Sequence, residues 1–334
     1  MMDDAMLSQP LRFRPILKEY LWGGRRLGSE LGKPIGTGPH YAESWELVDH
    51  GADQSVVADG PLAGKTLHQL VTEHGAALFG RHPPRAQFPL LLKFLDAQRT
   101  LSVQVHPNDA QAARLDPPDL GKTEAWVVLA AEPGAKIYAG LKPGVDRATL
   151  ERELAAGTCD NCLHQFEPQP GDCVFLEAQT VHALGAGLLI AEIQQASNTT
   201  YRLFDWNRVD ADGKPRPLHV QESLDTIDYR RGPVEPRTPQ PTDRPHVERL
   251  VACDKFVLDR WRLDQPQPCG GDQRFHIVTV VVGAATMSSD DQSIELPLGG
   301  TILLPASCPT VSIAPQRTGS SPTAAAILLD MFLP

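Results

Sequence analysis

Glycine and proline punctuate this chain from end to end, and the apolar runs between them are of strand length rather than helix length. Thirty of 334 residues are proline, about twice average usage. Proline removes a backbone donor and breaks helices, so this spacing argues against a long-helix protein and for loops and strands. Between residue 87 and about 230 the runs are FPLLLKFLDA, TLSVQVHP, EAWVVLAA, AKIYAGL, CVFLEA, LLIAEIQQ and TTYRLFDW. Turn signals such as Pro170-Gly171-Asp172 and Gly185-Ala186-Gly187 separate them. Many short strands with such turns predict a mainly β protein, a jelly roll or barrel rather than a doubly wound sheet. Helices are few. Leu67, Leu70, Val71 and Leu78 fall at helical spacing behind a Thr66 cap, predicting a helix over 66–80. A short helix is expected near 110–115, stopped by Pro117 and Pro118, and another over 146–156.

The length predicts two domains. Residues 230–249 carry five prolines and seven charged residues before Arg249. They read as a linker or loose strap over 233–249, between a domain at 1–232 and a smaller β-domain at 250–334. Lys+Arg of 31 against Asp+Glu of 41 leaves a net charge of −10. Such a chain has no general attraction to nucleic acid or to an anionic membrane surface. Any anionic substrate must therefore be drawn by a local basic cluster. No obligate protein partner is apparent. No run approaches the roughly 18 apolar residues of a membrane span. The N-terminus, MMDDAMLSQP, lacks the features of an export signal, and six cysteines are too sparse for a disulfide scaffold. A cytoplasmic setting is expected.

Two GKT tripeptides, at 64–66 and 121–123, fail as phosphate loops because Asp59 and Asp116 stand where the upstream glycine belongs. Cys159 and Cys162 form a CxxC with no second cysteine pair at zinc-site spacing, which favours incidental thiols. The chemistry is better sought in LSVQVH, residues 101–106. Side chains alternate along a strand, so Ser102, Gln104 and His106 share one face and Leu101, Val103 and Val105 the other. Gln104 and His106, about 6.6 Å apart along the strand, can converge on one metal ion. A solvated face is the plainer explanation for such a strand taken alone. The next strand places Lys122, Glu124 and Trp126 on one face. His182 follows an apolar run, and Arg202 sits inside an aromatic strand. Two imidazoles and a carboxylate suit zinc or another first-row divalent ion, and Lys122 and Arg202 add charge suited to an anionic sugar phosphate or an enediolate.

Several stretches together resemble the type I mannose-6-phosphate isomerase (phosphomannose isomerase) family in its short bacterial form. They are FPLLLKFLDA (88–97), LSVQVHPND (101–109), GKTEAW (121–126), FLEAQTVHALGAG (175–187) and AEIQQASNTTYRLFDWNR (191–208), with WGG (22–24) and ESWEL (43–47). The resemblance implies a cupin-type jelly roll followed by a small C-terminal β-domain, and one zinc ion held by Gln104, His106, Glu124 and His182. It implies Arg202 and Lys122 as the active-site arginine and lysine, and Ser102 and Lys93 as substrate-holding positions. Lys93 reads equally well as a core lysine whose head snorkels out. The implied reaction interconverts mannose 6-phosphate and fructose 6-phosphate through a cis-enediol. Longer family members have a histidine directly before the active-site lysine. Gly121 stands there in this chain, so no acid–base role transfers to that position.

Two other readings compete. One is a different cupin, an Fe(II) oxygenase or a sugar-binding regulator, since fold does not fix function. The other is a β-protein without a site. That reading needs Gln104, His106 and Glu124 on an exposed face, although their neighbouring strands read as buried on both sides.

Overall fold

A computed structural model describes residues 7–209, 212–289, 292–316 and 326–334. The chain is mostly β, as the short runs predict. Numbered in order, the main strands of the first half are β1 (Ile16–Gly24), β2 (Tyr41–Leu47), β3 (Leu90–Ala97), β4 (Val103–Val105), β5 (Glu124–Ala131), β6 (Ile137–Leu141), β7 (Leu163–Phe166), β8 (Cys173–Leu176), β9 (His182–Leu184), β10 (Leu188–Gln195) and β11 (Tyr201–Phe204). They form a six-stranded sheet, in the order β8-β5-β10-β3-β2-β1, and a five-stranded sheet, in the order β7-β6-β9-β4-β11. Leu95, Trp126 and Ile190 of the first sheet pack on Ile137, Ala139 and Leu184 of the second. This is the two-sheet jelly roll.

The outer faces of β3, β5 and β10 are buried as well. Leu92, Phe94, Ala125, Val127, Ala191 and Ile193 join one cluster with Leu70 and Phe79 and with Leu250, Phe256, Leu258, Phe275 and Met331 of the tail. Strands covered on both faces read as continuous apolar runs, which is why FPLLLKFL and EAWVVLAA do not alternate.

The helix Leu67–Phe79 begins with a capping box, in which Gln69 N donates to Thr66 Oγ1 and Thr66 N donates to the Gln69 side chain. It ends at Gly80, whose φ of +58° suits glycine. There a Cβ would lie 2.4 Å from the Gln273 carbonyl, so only glycine lets this helix end meet the tail. The helix near 110 is one turn, Asp109–Ala112, capped by Asn108, and ends before the position the sequence suggested. The third, Arg147–Ala155, is capped by Asp146.

The tail is a second, smaller two-sheet unit. One sheet runs Gln240–Pro241, Val247–Ala252, Val257–Leu263, Ala326–Phe332, His276–Val282, Thr301–Leu304; the other runs Gln267–Cys269, Val311–Pro315, Ala285–Ser288, Ser293–Leu296. The expected loose strap over 233–249 needs correction. Val234 N donates to Ala139 O (3.0 Å) and Arg237 N to Cys173 O (2.7 Å), tying it to the first domain. Gln240–Pro241 and, after a turn, Val247–Ala252 are already strand, and Val247 is buried. Its charges, which suggested solvent, are cross-strand partners: Arg249 Nε donates to Asp259 (2.6 Å), and Glu248 accepts from Arg260 (2.7 Å). Among the described residues no helix is long and apolar enough to cross a membrane.

Candidate active site

Strand register assembles the site. In the five-stranded sheet His182 of β9 stands opposite Gln104 of β4, and Gln104 opposite Arg202 of β11. Residues opposed in register share a face, so these three form one row. In the facing sheet Glu192 of β10 stands opposite both Trp126 of β5 and Lys93 of β3, and Glu124 opens β5. The alternation read from residues 101–106 holds over Val103–Val105, whose valines join a cluster with Leu163 and Leu203 away from the site, but not at Leu101, which precedes the strand, packs between the sheets with Trp126 and lines the cavity.

His106, Glu124 and His182 are each about 1% exposed, and one donor atom from each lies within 4.8 Å of the others. His182 Nδ1 faces the Thr180 carbonyl at 2.8 Å, and His106 Nδ1 faces the Thr199 carbonyl at 3.0 Å. A carbonyl only accepts, so each Nδ1 carries the hydrogen and each Nε2 presents a lone pair towards Glu124. Burial pushes the His182 imidazole down to about 4 and His106 well below its ordinary value, which keeps both rings neutral. His182 Nε2 then lies 3.2 Å from Glu124 Oε1 and has no hydrogen-bond partner, while Glu124 Oε2 has the Lys122 ammonium beside it. Two acceptors buried face to face fit a divalent cation between them. Gln104 stands beside His182 in register and lines the cavity that Glu124 also lines.

Lys122 is buried and closes this group. Its Nζ lies 3.1 Å from both His106 Nε2 and Glu124 Oε2, and 4.0 Å from Glu192 Oε1. Lys93 does not snorkel outward. It is 6% exposed, with Nζ 3.1 Å from Glu192 and 3.6 Å from Glu43. Burial acts to lower its affinity for the proton, but the Glu192, Glu43 and Glu124 charges overcome this and hold it above the ordinary lysine value. Burial likewise works against ionisation of Glu192, and Lys93 and Lys122 outweigh it, so its carboxyl is held low. Burial raises Glu124, with Lys122 pulling against it.

The cavity holds about 300 Å³ and is lined by Ser102, Gln104, Lys122, Glu124, Glu192 and Arg202, with Lys93, Glu43, Tyr20, Trp22, Asn198, Thr200 and Arg216. All four sequence-assigned basic and hydroxyl positions, Arg202, Lys122, Ser102 and Lys93, thus reach one space. Arg202 Nη1 donates to Pro217 O (2.8 Å), while its buried Nε has no partner. Four cationic side chains against three carboxylates make the cavity net basic inside an acidic protein. Glu43, Arg216, Asn198 and Thr200 were missed, since only cross-strand register and a long irregular return bring them in.

A supporting layer fixes these groups. Asp119 accepts from Ser197 Oγ (2.8 Å) and Thr199 Oγ1 (2.7 Å), holding the loop whose Thr199 carbonyl orients His106. Asp109 Oδ1 accepts from Gly121 N and Gln195 Nε2, both at 2.8 Å, while its Oδ2 pairs with Lys255 of the tail at 2.7 Å. A Cβ on Gly121 would sit 2.5 Å from Asp109 N, so no histidine fits before Lys122 without moving this backbone. Cys159 and Cys162, both free and buried, pack behind the five-stranded sheet, away from the cavity.

A two-sheet β-sandwich with two histidines and a glutamate brought together between its strands defines a cupin with a metal-type centre. The comparisons narrow this. Residues 11–124 match the family described as phosphomannose isomerase type I, catalytic domain, and residues 246–318 match the mannose-6-phosphate isomerase cupin domain. Mannose-6-phosphate isomerase ManA of Bacillus subtilis (strain 168) is 36% identical over 311 residues, covering 90% of this chain and 94% of that protein. The mannose-6-phosphate isomerase of Streptococcus mutans is 33% identical over 301 residues, covering 90% and 93%. The crystal structure of mannose 6-phosphate isomerase from Bacillus subtilis superimposes with a TM-score of 0.86 at 29% identity, covering 96% of this chain and 99% of that one. The chain belongs to the type I mannose-6-phosphate isomerase family and is an isomerase enzyme. This membership favours the isomerase over the oxygenase and over a β-protein without a site.

Proposed function

We propose that the chain is a metal-dependent aldose–ketose isomerase that interconverts mannose 6-phosphate and fructose 6-phosphate through a cis-enediol. The observation that carries this reading is the convergence of buried donor atoms from His106, Glu124 and His182 beside a basic cavity that Glu124 lines. Gln104, His106, Glu124 and His182 are proposed as the ligands of one divalent ion, zinc by donor chemistry. When bound, such an ion supplies a Lewis acid beside the substrate carbonyl.

The chain's own residues supply the rest. The C2 proton of the open-chain aldose leaves and returns at C1. Arg202 is always protonated, so it is no base; its unpartnered Nε stabilises the oxyanion that develops or orients the phosphate-bearing chain. The Lys122 ammonium stands beside the same centre and stabilises the same negative charge. Two groups within the cavity can carry the proton, Lys122 Nζ and the Glu192 carboxylate. Ser102 is proposed to hold a substrate hydroxyl, and Lys93 to hold Glu192 and Glu43 in place. A cytoplasmic setting, in which all six cysteines stay free thiols, belongs to this reading.

The test is a coupled assay for fructose 6-phosphate formed from mannose 6-phosphate, before and after chelation. Turnover lost on chelation and restored by zinc supports the reading. Turnover that survives complete metal removal, or none with mannose 6-phosphate at all, refutes it. Arg202→Ala should lower kcat by about 10²–10³-fold with metal content unchanged. Full activity in that variant removes the assigned role.

A further inference from the structure

The tail carries a second buried donor set, on the far side of the shared core. His276 opens a strand of its six-stranded sheet, and Asp330 lies on the neighbouring strand, opposite Val278. Since Ile277 pairs with Met331, His276 and Asp330 are diagonal neighbours on one face. Cys269 enters from the other sheet, at the end of Gln267–Cys269. All three are buried, 2–5% exposed, and one donor atom from each lies within 4.8 Å of the others. His276 Nδ1 lies 2.9 and 3.0 Å from the Asp330 oxygens. Its other nitrogen, Nε2, lies 3.1 Å from Asp272 Oδ1, and Asp272 is in turn held by Arg274 Nε at 2.6 Å.

We infer that Cys269, His276 and Asp330 form a second metal site, suited to zinc or another thiophilic divalent ion. The donors are one thiolate, one imidazole and one carboxylate, a set that such ions take and that magnesium and calcium do not. The outer contacts are those of a ligating histidine. Nε2–H donates to a carboxylate that is itself anchored, which fixes the ring, while Nδ1 now donates to Asp330 and turns its lone pair to an ion once that proton leaves. A cavity of about 340 Å³ opens onto His276 and Asp330, so a fourth position is reachable from solvent. Trp261 also lines it, and its buried Nε1 has no hydrogen-bond partner. Uptake expels two protons to solvent, that of the Cys269 thiol and that which Nδ1 shares with Asp330, and no oxidant or reductant is needed. This site lies outside the catalytic cavity and does not depend on how that cavity works.

The test is cobalt(II) loading of the full-length, metal-stripped protein, read by metal analysis and absorption. The cavity ligands proposed above contain no sulfur, so thiolate-to-cobalt charge transfer in the near ultraviolet reports only a cysteine site. Wild type should hold two ions per chain and show that band. Cys269→Ser should hold one and lose the band. His182→Ala should hold one and keep it, which separates this inference from the catalytic reading. Cys159→Ser/Cys162→Ser should keep the band, and if Cys269→Ser does not fold, His276→Gln serves in its place. A band absent from wild type, or unchanged in Cys269→Ser, overturns the inference and leaves a hydrogen-bonded ion cluster only.

Discussion

Asp119 shows how much of the site rests on a residue that touches no reacting atom. Burial alone would raise its pKa, yet hydrogen bonds from His50, Thr199, Ser197 and the Leu120 amide hold it far below the ordinary carboxylate value. A group depressed in the folded state stabilises the fold above its unfolded value of 3.8, and that contribution is lost as pH falls further. Asp119→Asn should therefore be less stable than wild type at pH 7, by about 2 kcal/mol. The gap should narrow as pH drops below 3.8, read by thermal unfolding of both proteins across that range. A gap that stays constant with pH would place the stabilisation elsewhere. Because the loop also aims the Thr199 carbonyl at His106, metal affinity should fall by about 10–100-fold in the same variant. None of this was legible in the sequence. Asp119 sits in a Pro-rich turn that resembles any surface loop. The placement of the proposed ligands was partly legible, because strand alternation is local: Val103–Val105 puts Gln104 on one side, and TEAW puts Glu124 beside Trp126.

At the level of elements, the stretch leading into β5 is tightly packed beside the site. Gly121 lies against the Asn108–Asp109 backbone, and Lys122 and Glu124 follow directly. Gly121→Ala forces that backbone apart, since its Cβ would contact peptide atoms at 2.5 and 2.7 Å rather than a flexible side chain. A displacement of about 1 Å at catalytic groups can cost 10²-fold in rate. The variant should lose at least tenfold in kcat while most of its thermal stability remains. Wild-type kcat at unchanged Tm would show that the loop has slack. Element type was readable from pattern. The 67–79 helix declared itself through Thr66 and its apolar spacing, and the strands through their turns. Pairing was not readable. That Lys93 meets Glu192, turning a seeming snorkel into a buried ion pair, depends on the register of β3 with β10, which no single segment encodes.

For the whole molecule, the decisive fact is a core that does not respect the boundary between the two halves. Leu92, Phe94 and Ile193 share a cluster with Phe256, Phe275 and Met331. The metal-loaded protein should thus unfold in one calorimetric transition, and a chain ending at residue 232 should aggregate or expose apolar surface. Two resolved transitions, or a soluble and active 1–232 fragment, would contradict a shared core. The sequence revealed two β-units but not their fusion, because the apolar faces of β3 and β5 announce only that something covers them. Asp109 adds a second consequence. One of its oxygens grips the approach to Lys122 and the other a lysine of the tail, so any replacement tail must bring a cation to that same spot. Exchange of this half between relatives is then limited by one carboxylate, and drift in a distant surface loop can be felt as a change in turnover.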